Sequence, residues 1–214
     1  MRETVISEIL KHKIIAIVRG LEQKQAVALA DALYEGGVRL IEVTFDQRSQ
    51  EHSATTEAIS CIRERFGDKM HVGAGTVLSL QQLEQARQAG AEFIISPNVD
   101  RAVIEKTREL ELVSLPGALT PTEIVTAYAC GADMVKVFPA ASMPVSYLKD
   151  ISAPLPHIPL LAVGGVNAEN MMQFLKAGAK GVGVGGSLVN KALIEKGDMA
   201  GITALARTFT DQLR

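Results

Sequence analysis

Eight short apolar runs, each followed by an amphipathic or loop-like stretch, punctuate the chain from end to end. They are KIIAIVR (13–19), VRLIEVTF (38–45), MHVGAGT (70–76), EFIISP (92–97), ELVSLPG (111–117), DMVKVFP (133–139), PLLAVGG (159–165) and GVGVGGS (181–187). Between them, stretches such as KQAVALADALYEGG and LQQLEQARQAG space their apolar residues as one face of a helix. Glycines at EGG (35–37), QAG (88–90), ACG (ending at Gly131) and KAG (176–178) stand where a helix closes in the left-handed conformation. Thr120-Pro121-Thr122-Glu123 reads as a capping box with proline in the first helical turn, and Asn167 is a further cap candidate. Strands that alternate with helices imply a parallel sheet covered by helices. Eight of them predict an α/β fold of one domain, 1–214: a closed (β/α)8 TIM barrel preceded by an N-terminal helix, MRETVISEILKHK. An open doubly wound sheet is the alternative. At 214 residues the chain is short for such a barrel, which averages about 250, so the loops must be brief. The stretch 141–158 holds three prolines and little helical pattern, which predicts an abbreviated sixth helix.

Composition narrows the partners. The net charge is −2 with acids and bases intermixed, and tryptophan is absent. Neither a basic nucleic-acid footprint nor a stacking platform is written here. No apolar run approaches the ~20 residues that span a bilayer. The N-terminal helix is broken by charges, unlike a secretory leader, so a cytoplasmic location is expected. Cys61 and Cys130 fit no metal spacing and read as reduced thiols. His12, His52, His71 and His157 are scattered, so no metal and no cofactor are expected.

In a barrel of this kind, function gathers at the C-terminal ends of the strands. Those ends carry Arg19, Glu42 with Thr44, Thr76, Ser96-Pro97-Asn98, Pro116-Gly117, Lys136 with Phe138, Gly164-Gly165 and Gly185-Gly186-Ser187. Period-two alternation puts Met134, Lys136 and Phe138 on one face and Val135 and Val137 on the other. It puts Leu40, Glu42 and Thr44 opposite Ile41, Val43 and Phe45. The outer face of each strand must be apolar to pack on helices, so Lys136 and Glu42 point into the barrel. A buried ion pair that only fixes the core is one reading of them. The other is a desolvated, partly neutral amine that attacks carbonyls, with a carboxylate beside it to move protons. The glycines that end runs seven and eight offer unobstructed N–H groups to a phosphate, with Ser187 expected at a helix start.

The motifs IEVTF, VGAGTVLS, FIISPN, PGALTPTE, VKVFPA and AVGGVN, in this order, resemble the class I aldolases for 2-keto-3-deoxy-6-phosphogluconate (KDPG) and 4-hydroxy-2-oxoglutarate (KHG). The resemblance runs from about residue 13 to 190. It implies cleavage of a 4-hydroxy-2-oxo acid to pyruvate and an aldehyde, with Lys136 as the Schiff-base lysine and Glu42 as general acid/base. It implies a pyruvate pocket lined by Thr76, Pro97 and Phe138. A phosphate would sit at Gly164, Gly165, Gly186 and Ser187, with Arg19 near the substrate's charged groups. It also implies a metal-free homotrimer acting on a small keto acid. The resemblance departs at Asp46, where well-studied members carry an arginine for the pyruvate carboxylate. Three assignments stay open there: Arg19 holds the carboxylate, Arg48 reaches in, or Asp46 accepts a hydrogen bond from a substrate hydroxyl. The C4 epimer, 2-keto-3-deoxy-6-phosphogalactonate, is accordingly a candidate substrate. Two rivals are a phosphate-binding barrel isomerase or decarboxylase, and a non-catalytic phosphosugar sensor.

Overall fold

The structure is a computed structural model, and it describes residues 2–49 and 51–214. Its strands are β1 (Ile14–Arg19), β2 (Leu40–Thr44), β3 (His71–Gly75), β4 (Phe93–Ile95), β5 (Val113–Leu115), β6 (Gly117–Ala118), β7 (Val135–Val137), β8 (Leu160–Val163) and β9 (Gly181–Val184). They form a single sheet in the order β5-β4-β3-β2-β1-β9-β8-β7-β6, and every pairing is parallel. Nine segments replace the eight expected because the fifth run is divided at Pro116. Proline has no N–H to give a ladder. Residues before it pair with β4, and residues after it pair with β7. The Pro116 carbonyl still accepts from Lys136 N at 2.9 Å. The two ends of the sheet are thus one continuous run of chain, and the barrel closes on itself.

Side chains sort into two apolar clusters. The outer one lies between the strands and the helices and takes residues such as Ile41, Val43, Val135 and Val137. The inner one fills the barrel with Ile15, Ile17, Leu40, Phe93, Ile95, Val113, Leu115, Leu161 and Val163. Two strands face inward with glycine. Gly73 leaves its space to the Phe93 ring, Gly75 to Glu42, and Gly183 to Val163 and Ile17. Side chains from the directly neighbouring strands fill these gaps.

The ring of helices consists of α2 (Gln23–Glu35), α3 (Ser53–Phe66), α4 (Leu80–Gln88), α5 (Arg101–Glu109), α6 (Pro121–Ala129), α7 (Val145–Ser152), α8 (Met171–Lys176), α9 (Lys191–Glu195) and α10 (Met199–Thr210). The first helix, α1 (Arg2–His12), stands apart from that ring. Its Val5 and Ile9 belong to the inner cluster, so it plugs the bottom of the barrel. Arg2 pairs there with the buried Asp133, which also accepts from Arg108 at 2.8 Å and from Ser114 N at 2.8 Å. The capping box at Thr120 and Glu123 forms, and Gly37, Gly90, Gly131 and Gly178 all have positive φ. As expected, α7 is short, at 8 residues. Asn167 caps a turn just ahead of α8, accepting from the backbone N–H groups of Glu169 and Asn170.

Candidate active site

Lys136, at the middle of β7, and Glu42, at the middle of β2, lie inside the barrel, 5% and 1% exposed. Glu42 reaches across to the space above Gly75, where a β-carbon would overlap its carboxylate. One of its oxygens, Oε2, has no hydrogen-bond partner among the described residues. The Lys136 ammonium lies 4.6 Å from the centre of the Phe138 ring. Burial pushes the Glu42 carboxyl up, against the pull of Lys136 and Arg19. Burial pushes the Lys136 amine down; Arg19 adds to the fall and Glu42 opposes it. Each group is therefore moved toward its neutral form by desolvation and toward its charged form by the other. Burial thus favours a neutral amine at Lys136 and a neutral carboxyl at Glu42, and no hydrogen bond or ion pair joins the two among the described residues.

At the upper ends of the strands the cleft divides into two lobes that share Ile17, Arg19, Gly185 and Gly186; Lys136 and Glu42 are not among the residues that line them. Lobe one, about 600 Å³, runs over β1 to β3 and is lined by Thr44, Asp46, Gln47, Arg48, Thr76 and, on α9, Lys191. Lobe two, about 330 Å³, runs over β7 to β9 and is lined by Phe138, Gly164, Gly165, Val166, Asn167 and Ser187. In lobe two the backbone N–H groups of Gly165, Val166, Gly186 and Ser187 make no hydrogen bond among the described residues. A β-carbon on Gly185 or Gly186 would meet nothing within 4 Å, so the approach to that backbone is open. Ser187 Oγ donates to Val166 O at 2.6 Å and ties the two glycine loops together. An anion fits such a cradle.

The structure brings together most of the residues singled out above. Arg19 lines both lobes, and its charge acts on both Lys136 and Glu42. Thr76 lines lobe one; Phe138, Gly164, Gly165, Gly186 and Ser187 line lobe two. Pro97 lines neither lobe: it follows β4 half-buried, with its carbonyl packed against Gly117. Ser187 does not begin a helix. It sits in a single turn in which Leu188 N and Val189 N return to Gly185 O, and α9 starts at Lys191, capped by Asn190.

Sequence reasoning missed a set of amides. Gln47 Nε2 donates to Thr76 O at 2.7 Å, and the buried Gln82 donates to Gln47 Oε1 at 3.0 Å while its own Oε1 accepts from Leu78 N at 2.8 Å. They hold Thr76, a β-branched residue at φ +56°, in the left-handed region. These contacts join separate loops, and no spacing in the chain announces them.

Fold and site together define a class: a parallel barrel with a cleft at its strand ends and a lysine and a glutamate buried inside it, the equipment of imine-forming enzymes. The chain belongs to the KDPG and KHG aldolase family, a family of lyases; the family model "Aldolase: KDPG and KHG aldolase" matches residues 5–205. It is 35% identical to the 2-dehydro-3-deoxy-6-phosphogalactonate aldolase of Escherichia coli K12, over 83% of this chain and 85% of that protein. It is also 35% identical to the KHG/KDPG aldolase of the same organism, over 90% and 87%. Among solved structures it is similar to the KDPG aldolase of Legionella pneumophila with pyruvate captured at low pH as a covalent carbinolamine intermediate. That likeness has a TM-score of 0.84 and 29% identity, over 94% of this chain and 96% of the other.

Proposed function

We propose that this protein is a Schiff-base aldolase that cleaves a 2-keto-3-deoxy-6-phospho sugar acid, or 4-hydroxy-2-oxoglutarate, to pyruvate and an aldehyde. The observation that carries the reading is the burial of Lys136 and Glu42 inside the barrel, with Arg19, whose charge acts on both, lining the two lobes. Neutral Lys136 adds to the C2 ketone and gives a carbinolamine. Glu42 supplies a proton as water leaves, and an iminium forms. The C3–C4 bond then breaks, its electron pair moving toward the iminium nitrogen, while the Glu42 carboxylate takes the proton of the C4 hydroxyl. The aldehyde departs. The enamine is protonated at C3, and water hydrolyses the imine to free pyruvate and Lys136.

Placement follows from the lobes. A phosphate fits lobe two, where the N–H groups of Gly165, Val166, Gly186 and Ser187 are unpaired. The substrate carboxylate fits lobe one, where Arg19 is in no ion pair among the described residues and Thr76 stands nearby. Thr76, Pro97 and Phe138 frame the pyruvate unit; in this reading Pro97 acts through the backbone it packs on. The galactonate epimer is a second substrate reading, favoured by the relative of that name at 35% identity. The decisive experiment incubates protein, pyruvate and borohydride, digests the product and locates the adduct by mass spectrometry. Reduced pyruvate on Lys136 is the expected result. Folded protein without an adduct would remove the imine mechanism.

The whole chain acts in this proposal as one domain in the cytoplasm, without a metal or other cofactor. No helix among the described residues is long and apolar enough to cross a membrane. We also propose a homotrimer, supported by exposed apolar residues at Leu78 and Leu80 before and on α4, and at Val125 and Tyr128 on α6. Light scattering should give about three times 22.9 kDa, and a mass of one chain would overturn it.

A further inference from the structure

Lobe one holds three cations, Arg19, Arg48 and Lys191, against one acid, Asp46. Two of the three are engaged. Lys191 lies 3.5 Å from Glu195, one turn along α9. Arg48 gives Asp46 three hydrogen bonds: Nε to Oδ1 at 2.9 Å, a terminal guanidinium nitrogen to Oδ2 at 2.7 Å, and the backbone N to Oδ1 at 3.0 Å. The planar fork of Arg48, the group best shaped to grip a carboxylate from outside, is closed on a carboxylate of its own loop. The loop is anchored between the two partners, because Gln47 is bonded to Thr76 and Gln82. Just before the pair, the Phe45 ring meets the edge of His52 with centroids 5.0 Å apart. Asp46 stays ionised throughout the working range, since Arg48 holds its carboxyl down at about 2. The pair is open to water, with the Arg48 side chain 90% exposed, so the Asp46 charge biases Arg48 away from a ligand by a modest amount.

We propose that Asp46 tunes product release: it withholds Arg48 from the 2-oxo-acid carboxylate, so that Arg19 is the one arginine that grips pyruvate, and pyruvate leaves readily. This inference rests on lobe one being the carboxylate subsite. Pyruvate is the product that remains covalently attached after the aldehyde has gone. A second arginine closing on it would strengthen pyruvate binding and slow its release.

The test is the pyruvate concentration that half-saturates borohydride trapping, measured for the wild type, Asp46→Asn, Arg48→Gln and the double variant. Asn keeps the shape of the side chain and removes its charge. Asp46→Asn should lower the half-saturating concentration about threefold or more, the scale of one exposed charge-assisted contact. It should also deepen product inhibition by pyruvate. Arg48→Gln alone should shift it less than twofold, and the double variant should lose the gain. An unchanged or raised value in folded Asp46→Asn overturns the inference. So does a marked loss in Arg48→Gln alone, since Arg48 would then already be holding the carboxylate. If Asp46→Asn does not fold, Asp46→Ser carries the same comparison. Absence of any wild-type adduct would strike the aldolase reading itself, and the two failures are thereby told apart.

Discussion

In the proposed mechanism Lys136 and Glu42 act through where they are buried. A lysine in water is almost wholly protonated at neutral pH and is no nucleophile. Burial lowers the Lys136 pKa, and the negative charge of Glu42 partly restores it. Replacing Glu42 by Gln removes the restoring charge and leaves burial and Arg19, which both lower the pKa. The pH midpoint for imine trapping, followed with cyanoborohydride, should move to lower pH, while aldol turnover falls by about 10²–10⁴ as the proton relay is lost. A midpoint that moves upward would contradict the electrostatic account. Gly75 offers a second test. A β-carbon there would occupy the space of the Glu42 carboxylate, so Gly75→Ala should displace that group and cost turnover about as much as Glu42→Gln. The expected circular dichroism is unchanged; full activity would mean that Glu42 does not work from the position it occupies.

At the scale of elements, α1 belongs to the barrel although it lies outside the strand–helix alternation. Ile9 is fully buried among the inner side chains at the floor. Cutting it to Ala leaves a cavity beneath the site and should cost about 2–5 kcal/mol in urea unfolding. A loss below about 1 kcal/mol would show that α1 only covers the opening. The cap at Thr120 is a smaller element. Its hydroxyl accepts from Glu123 N at 3.4 Å, and the Glu123 carboxylate accepts from Thr120 N at 2.8 Å. Thr120→Ala should cost about 1 kcal/mol and leave catalysis unaffected, because Thr120 lines neither lobe.

At the scale of the molecule, closure depends on one run of chain serving two strand partners. The segment around Pro116 joins the edge at β4 to the edge at β7, so the carbonyl that receives Lys136 N belongs to the closing strand. Barrel closure and the placement of the amine are therefore one structural event. Unfolding should be a single cooperative transition, with imine trapping and helical signal lost together along a denaturant series. Trapping that fails well before the helices melt would mean that the top of the barrel opens on its own.

Much of this was legible in the chain before any coordinates. Hydrophobic period and glycine punctuation are local properties, so the order of strands and helices, the capping box and the short α7 could be read directly. Alternation along VRLIEVTF and DMVKVFP was enough to turn Glu42 and Lys136 inward, because an outward charge would have to pack against a helix. Other features come from meetings between distant segments. The division of the fifth strand at Pro116 depends on which neighbours lie on either side of it. Glu42 resting over Gly75, Gln47 clamping Thr76, and Pro97 standing clear of both lobes depend on how adjacent strands cross and where their loops fall. Pattern along a chain sets which way a side chain faces. What it touches there is set by the closing of the barrel.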